Sequence, residues 1–283
     1  MAAQVAHPES IVETDWVAEH AGDNNVVLVE VDVDTAAYDQ GHVPGAIGWN
    51  WTTQLNDTVT RDILSKDQIG SLLGSSGVTS DSTIVVYGDN NNWFATYAFW
   101  QLKMYGHKDV RVMNGGRVKW VKEDRDLSTD VPSVASTSYT AGDPDYSTRA
   151  TRNEMLKIAG GETASALVDV RAPAEFSGEL LAPANLPQEG AQRGGHIPGA
   201  ANIPWLTAVN VEDGTFKSVE ELQAAYTGKG ISGDGQTVAY CRIGERSSHT
   251  WFVLSQILGY DNVKNYDGSW TEYGSIVGAQ IEK

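Results

Sequence analysis

Short apolar runs alternate with amphipathic stretches along the chain, a pattern typical of an α/β protein. The run Thr-Val-Ala-Tyr at 237–240 is short and β-prone and follows the turn-forming Ser-Gly-Asp-Gly, so it predicts a buried strand. The stretch 247–258 carries apolar residues at helical spacing, with Ser247 or Ser248 as the expected N-cap and Gly259 as the expected terminator. This part of the chain is therefore predicted to form a strand, a tight turn and a helix.

The same kind of pattern occurs twice. Gly-His-Val-Pro-Gly-Ala at 41–46 recurs as Gly-His-Ile-Pro-Gly-Ala at 195–200, an offset of 154 residues, and Ile-Val-Val-Tyr at 84–87 matches 237–240 at an offset of 153. Because these matches occur in one order and at a nearly constant offset, we interpret the chain as a duplication. We therefore predict an α/β fold with two tandem domains, each of them a parallel sheet flanked by helices.

A segment rich in Ser, Thr, Pro and Gly separates the two halves. Residues 128–145 lack hydrophobic periodicity and predict a linker. We therefore expect a first domain at 1–127 and a second at 146–283. The second half also holds an insertion at roughly 179–193, whose prolines and glycines predict a surface loop.

Cys241 is the only cysteine among the 283 residues, and it directly follows the predicted strand 237–240. Ligands of parallel sheets bind at the carboxyl ends of the strands, and a helix N-terminus attracts anions. A thiol at this junction is expected to have a lowered pKa and to react as the thiolate. The equivalent position of the first half holds Gly88 and Asp89 instead. We therefore predict that Cys241 is a catalytic nucleophile, that the second domain is catalytic and that the first serves as a scaffold.

The sequence after the cysteine reads Arg-Ile-Gly-Glu-Arg. Arg242 and Arg246 are predicted to place positive charge beside the thiol. Glu245 either points outward or pairs with one of these arginines, and the sequence leaves both alternatives open. We expect His249 to be an exposed residue of the first helical turn. The predicted active-site loop between the arginines consists of Ile243, Gly244 and Glu245.

Composition narrows the range of functions. The net charge of −17 and the pI near 4.6 argue against binding to nucleic acid, which relies on lysine and arginine, and against binding to anionic membrane surfaces. A single cysteine excludes an intrachain disulfide. The N-terminus lacks a basic region followed by a long apolar stretch, and no apolar run approaches the length of a membrane span. We therefore expect a cytoplasmic protein.

Other enzyme classes fit the sequence less well. Six scattered histidines without a closely spaced pair do not predict a metal site, so we expect neither a metal nor a cofactor. A Gly-x-Ser-x-Gly elbow of a serine hydrolase is missing. A cysteine phosphatase is a closer rival, but Cys241 and Arg246 are one residue closer together than its Cys-x5-Arg loop requires. A catalytically silent binding module remains a further alternative.

Taken together, these features resemble the rhodanese family of two-domain sulfurtransferases over essentially the whole chain. The resemblance rests on the paired Gly-His-x-Pro-Gly-Ala turns, the loop 241–246 and the sequence Asn-Tyr-Asp-Gly-Ser-Trp at 265–270. It implies a thiosulfate sulfurtransferase in which the Cys241 thiolate takes up the outer sulfur of thiosulfate, releases sulfite and becomes a persulfide. A thiophilic acceptor, cyanide in the standard assay, then removes the sulfur as thiocyanate. 3-Mercaptopyruvate sulfurtransferase is the alternative within the family.

The resemblance also implies which residues bind the donor. Arg193 matches the position of a substrate-binding arginine of the family, and Arg242 favours the thiosulfate dianion. Arg246 is expected to supply the charge of a lysine that family members commonly have where this chain has Ile243. The chain also has Glu175 where many members have an arginine. We expect only small-molecule partners, an anionic sulfur donor and a thiophilic acceptor, for a monomer that binds neither nucleic acid nor membrane.

Overall fold

The computed structural model describes residues 3–32, 36–182 and 190–283. Within these ranges the chain forms two compact units, which we call the N-terminal and C-terminal units. The N-terminal unit contains residues 7–145 and 210–216, and the C-terminal unit contains the chain up to residue 6 together with 146–209 and 217–283.

The N-terminal unit is built on a parallel sheet with the strand order β1-β5-β4-β2-β3 among the described residues. Its strands are β1 (Ile11–Val12), β2 (Val26–Asp32), β3 (Ile47–Asn50), β4 (Thr83–Tyr87) and β5 (Asp109–Met113). The helices are α1 (Thr14–His20), α2 (Ala36–Gln40), α3 (Trp51–Gln54), α4 (Lys66–Ser75), α5 (Trp93–Met104) and α6 (Gly116–Lys122). Every residue of the central strand β4 is buried, which explains why this strand reads as a continuous apolar run.

The C-terminal unit has the parallel strand order β7-β6-β8-β9 among the described residues. Its strands are β6 (Ala166–Asp169), β7 (Ala201–Asn202), β8 (Thr237–Tyr240) and β9 (Val263–Tyr266). The helices are α7 (Arg152–Ala159), α8 (Pro173–Phe176), α9 (Val219–Thr227), α10 (Glu245–Phe252) and α11 (Ser269–Tyr273), and a π-helical turn, Val253–Ile257, continues α10. Since β8 pairs with β6 on one side and β9 on the other, the segments that follow these strands meet at one edge of the sheet.

The internal repeat of the sequence is visible in hydrogen bonds. In the N-terminal unit the Tyr87 hydroxyl accepts the N–H of Val43 at 2.9 Å, and in the C-terminal unit the Tyr240 hydroxyl accepts the N–H of Ile197 at 3.1 Å. Each bond ties the Gly-His-x-Pro-Gly-Ala turn to the last residue of a central strand. The turns thus have the same structural task in both units, where they anchor the sheet edge at the carboxyl ends of the strands.

Helix α10 begins three or four residues earlier than predicted. Its N-cap is Gly244, which has a φ of 102°, and not Ser247 or Ser248. The Ser248 hydroxyl lies inside the first turn and donates to the carbonyl of Glu245 at 2.6 Å. The prediction was wrong because a glycine at positive φ can turn the chain directly into the helix without a side-chain cap.

Candidate active site

Cys241 lies at the carboxyl end of β8 and is fully buried. Its backbone N–H donates to the hydroxyl of Ser269 at 3.0 Å, and its carbonyl accepts the N–H of Trp270 at 3.0 Å. Both partners belong to α11, the helix that follows β9 in the chain. The neighbouring strand and its helix therefore hold the backbone of the cysteine in place.

The cysteine sulfur faces into the loop that follows it. The N–H of Gly244 donates to Sγ at 3.1 Å, and the hydroxyl of Ser247 lies 3.6 Å from Sγ. The thiol in turn donates to Oε2 of Glu245 at 3.3 Å. The loop thus surrounds the sulfur with two hydrogen-bond donors and one carboxylate acceptor.

The loop is closed by a glycine that no other residue could replace without strain. A Cβ atom at Gly244 would lie 2.7 Å from Cα of Asp267, and the φ of 102° is unfavourable for residues with a side chain. Ile243, the residue before it, is buried at 9% exposure. The predicted active-site loop is therefore a compact turn that packs directly against the segment after β9.

The pKa of the Cys241 thiol is raised, which contradicts the expectation of a lowered value. Burial is the largest cause, and the negative charge of Glu245 adds to it. The charge of Arg246 and the hydrogen bonds from Ser247 lower the pKa, but by less. The expectation failed because the sequence does not show that the loop is buried or that its carboxylate faces the sulfur.

Arg242 and Arg246 are both buried and both contact the carboxylate of Glu175. Nε of Arg242 lies 3.3 Å from this carboxylate, and two nitrogens of the Arg246 guanidinium lie 3.2 and 3.3 Å from it. Burial by itself would raise the pKa of Glu175, but the charge and hydrogen bonds of Arg246 and the charge of Arg242 lower it overall. One of the two positive charges that the sequence places beside the cysteine is therefore balanced by the buried carboxylate of Glu175.

Glu175 is a site residue whose role the sequence did not reveal. It lies in α8, after β6, and its carboxylate also accepts the N–H of Ala172 at 3.1 Å. The only signal in the sequence was the departure from the family pattern at this position. Family members commonly have an arginine at this position, whereas this chain has a glutamate here and two arginines beside its cysteine. The glutamate therefore indicates a counterion for those two arginines.

Glu245 points inward, which resolves the alternative that the sequence left open. It is 3% exposed, and its Oε1 lies 3.5 Å from Nε of Arg246, while Oε2 accepts the thiol hydrogen bond. The carboxylate thus lies between the nucleophile and one of the arginines.

The guanidinium of Arg193 is engaged by backbone carbonyls. It donates to Gly274 at 3.1 Å, to Ile276 at 2.5 Å and to Ala279 at 3.0 Å. These contacts attach the predicted insertion to the segment after α11, and residues 183–189 of that insertion lie outside the described residues. The structure does not bring Arg193 into contact with the loop after Cys241, so its donor-binding role remains a prediction.

His249 is fully buried, so the expectation of an exposed residue was wrong. Its ring packs edge-on against Trp205, with the ring centroids 5.8 Å apart. Burial lowers the pKa of His249 to about 3, which keeps the imidazole neutral. The reason for the error is that every residue of α10 is buried, so the helix has no exposed face.

Among the described residues no group of three or more His, Cys, Asp or Glu side chains could hold a metal ion. In the same part of the chain no helix is both long and apolar enough to cross a membrane.

The fold and the cysteine loop define the class of the protein. The Rhodanese-like domain family matches residues 13–123 and 151–275, so the chain belongs to the rhodanese family. Both the recognition of the family and the predicted architecture of two tandem α/β domains are thereby confirmed. The family match covers both copies of the internal repeat.

Full-length relatives narrow the class further. The chain is 54% identical over 278 residues to a protein of Saccharopolyspora erythraea named "Putative thiosulfate sulfurtransferase", and this covers 98% of each chain. It is 55% identical over 280 residues to the "Sulfur carrier protein TtuD" of Thermus thermophilus, again with 98% of each chain covered. Among solved structures, the 3-mercaptopyruvate sulfotransferase SseA of Escherichia coli superimposes with a TM-score of 0.78 at 26% identity, over 92% of this chain and 98% of SseA. Family and relatives together indicate sulfur transfer as the reaction class.

Proposed function

We propose that the protein is a thiosulfate sulfurtransferase in which Cys241 carries the transferred sulfur as a persulfide. The observation that carries this proposal is the position of Sγ, which lies at the end of β8 and receives the N–H of Gly244 at 3.1 Å. An N–H group aimed at the sulfur stabilises negative charge there in the thiolate and in the persulfide. The names of the relatives support the same reaction class.

In the first step the Cys241 thiolate attacks the outer sulfur of thiosulfate. A bond forms between Sγ and this sulfur, the bond between the two thiosulfate sulfurs breaks, and its electron pair leaves with sulfite. In the second step a thiophilic acceptor such as cyanide attacks the terminal sulfur of the persulfide, and the thiolate leaves. Because the enzyme is covalently modified between the two steps, ping-pong kinetics are expected.

The choice of thiosulfate rests on the basic residues after the cysteine and on the relative named for that donor. 3-Mercaptopyruvate is a second candidate donor, favoured by the similarity to SseA and by the carboxylate of Glu175, which balances the arginines. The ratio of kcat/KM for the two compounds decides between them. A ratio above one for thiosulfate over 3-mercaptopyruvate supports the proposed donor, and a ratio below one assigns the enzyme to the alternative.

Replacing the nucleophile tests the reaction itself. We expect Cys241→Ser to abolish thiocyanate formation from thiosulfate and cyanide, because a hydroxyl cannot form the persulfide. The intact mass of the wild-type protein after thiosulfate treatment should increase by one sulfur atom, and that of the variant should not. Circular dichroism of both proteins controls for folding. Wild-type rates of thiocyanate formation in the variant would refute Cys241 as the carrier.

A further inference from the structure

Five ionisable side chains form a buried cluster around the candidate nucleophile, which we call the loop cluster. Each is at most 4% exposed. The members of the loop cluster are Glu175, Cys241, Arg242, Glu245 and Arg246. An uncompensated charge in such a buried site is unfavourable, so the charges of the cluster have to balance closely.

The arginines determine how many negative charges the loop cluster can hold. Both guanidinium groups remain protonated in proteins, so they contribute two positive charges. Glu175 contacts both of them and holds one of the two matching negative charges. The structure therefore accommodates one further negative charge, and either Glu245 or the sulfur of Cys241 can hold it. If both were ionised, the cluster would hold an excess negative charge.

The geometry allows these two groups to exchange a proton directly. Sγ of Cys241 and Oε2 of Glu245 lie 3.3 Å apart, with the thiol as the donor. The other oxygen of the same carboxylate is 3.5 Å from Nε of Arg246, so this carboxylate lies between the thiol and a guanidinium group. The N–H of Gly244 and the hydroxyl of Ser247 point at the sulfur and are uncharged.

The remaining charged and titratable groups around the loop are paired or neutral. Asp267, after β9, forms an ion pair with Arg149 at 2.8 Å. Asp169, at the end of β6, forms one with Arg171 at 2.6 Å. His249, one turn along α10, has its pKa lowered to about 3 by burial and stays neutral above that pH. Within the loop cluster, the contact in which a thiol donates to a carboxylate is the one between Cys241 and Glu245.

We propose that Cys241 and Glu245 hold a single proton between them, which lies on sulfur in the resting enzyme and on the Glu245 carboxyl group in the persulfide form. Glu245 is then a catalytic residue that takes the proton from the attacking thiol and returns it when the sulfur leaves. We call the statement about the resting enzyme the resting half of the proposal and the statement about the persulfide form the persulfide half. The persulfide half rests on the proposed function, whereas the resting half does not.

The step balances in atoms and charge. The thiol, the Glu245 carboxylate and thiosulfate become the persulfide anion, the neutral Glu245 carboxyl group and sulfite. The S–H proton moves to the carboxylate, the new bond joins Sγ to the outer sulfur of thiosulfate, and sulfite leaves with the electron pair of the broken S–S bond. With cyanide the reverse proton transfer accompanies the release of thiocyanate. The loop cluster keeps the same net charge throughout.

The resting half is tested by the pH dependence of alkylation by iodoacetamide. Since Cys241 is the only cysteine, all alkylation reports on this thiol. We expect Glu245→Gln to lower the thiol pKa by roughly one to three units, the size of shift that a single neighbouring charge typically causes. Glu162→Gln removes an exposed carboxylate of the same unit and is expected to leave the thiol pKa unchanged. An unchanged pKa in Glu245→Gln would overturn the shared proton.

The persulfide half is tested by infrared difference spectroscopy of the wild-type protein, which avoids any effect of a variant on folding. Addition of thiosulfate should remove the S–H stretching band and produce the C=O stretching band of a protonated carboxyl group, which shifts in heavy water. The carboxyl band should be missing in Glu245→Gln and present in Glu162→Gln. A persulfide that is seen by mass without a new carboxyl band would overturn the transfer to Glu245.

The two proposals fail in different ways. If thiosulfate adds no sulfur to the protein, the proposed function fails, but the alkylation profiles still decide whether Glu245 raises the thiol pKa. If sulfur is added and Glu245→Gln alters neither the alkylation profile nor the infrared spectrum, the proposed function stands and Glu245 has no role in proton transfer.

Discussion

The ion pairs of Glu175 with Arg242 and Arg246 allow a quantitative prediction. Glu175→Gln keeps the size of the side chain and removes its charge, so that two buried guanidinium groups lose their shared counterion. At an effective dielectric constant of about 20, one pair of unit charges 3.3 Å apart attracts with about 5 kcal/mol. The desolvation of the charged groups offsets several kcal/mol of this attraction, and removing one partner of a buried pair typically costs about 3–5 kcal/mol.

We therefore expect Glu175→Gln to lower the free energy of unfolding by about 3–5 kcal/mol. Urea denaturation followed by tryptophan fluorescence measures this change, with Glu162→Gln as the control for removal of an exposed carboxylate. A loss of less than about 0.5 kcal/mol, the usual effect of a surface substitution, would refute the idea that Glu175 balances the two arginines.

The same substitution has a second consequence at the nucleophile. Without Glu175 the two arginines are balanced only if Glu245 and the sulfur of Cys241 are both negative. We therefore expect the alkylation profile of Glu175→Gln to show a lower thiol pKa than that of the wild-type protein. A higher or unchanged thiol pKa would show that the charges of the loop cluster are not coupled in this way.

The pH dependence of the free energy of unfolding follows from the direction in which the pKa of Glu175 is shifted. Its pKa is lower in the folded protein than in the unfolded chain, so its ion pairs stabilise the fold fully above the unfolded pKa. This stabilisation is lost as the pH falls through the folded pKa. We expect acid to narrow the difference in stability between the wild-type protein and Glu175→Gln, and urea denaturation at a series of acidic pH values measures it.

Two further substitutions test the framework of the site. Gly244→Ala should destabilise the protein by at least about 1–2 kcal/mol, because its Cβ would lie 2.7 Å from Cα of Asp267. The control Gly161→Ala is also at positive φ but in open space, so it should cost less. Equal losses of stability in urea denaturation would contradict the steric contact. Tyr240→Phe leaves the buried N–H of Ile197 without the hydroxyl that accepts it and should cost about 1–3 kcal/mol. An unchanged thermal midpoint in this variant would show that the bond contributes nothing to stability.

Much of the fold could be predicted from the sequence because it depends on local patterns. Buried parallel strands are continuous apolar runs, and the duplication repeats them at a constant offset, so the strand 237–240 and its counterpart 84–87 were recognisable. The position of Cys241 after such a strand was enough to single it out as a candidate nucleophile, and that role stays a prediction. The start of α10 was less predictable, because Gly244 replaces a side-chain cap by a positive φ.

The electrostatics of the candidate site could not be predicted in the same way. Glu175 is far from Arg242 and Arg246 in the sequence, and it reaches them because β6 and β8 are neighbours in the sheet. The burial of Glu245 and His249 follows from the tertiary fold, which buries every residue of α10. No local pattern contains this information.

The sequence by itself determined the family and the duplicated α/β architecture and singled out a candidate nucleophile, because these follow from periodicity, repeats and the placement of a single cysteine. Only the tertiary structure decided the charge environment of that cysteine. The loop carries two arginines in the sequence, but parallel pairing of β6 with β8 adds the carboxylate of Glu175, and the turn at Gly244 brings Glu245 to 3.3 Å from the sulfur. Burial and the carboxylate of Glu245 raise the thiol pKa where the sequence alone predicted a lowered one, because charge interactions depend on distance in space and on exclusion of water.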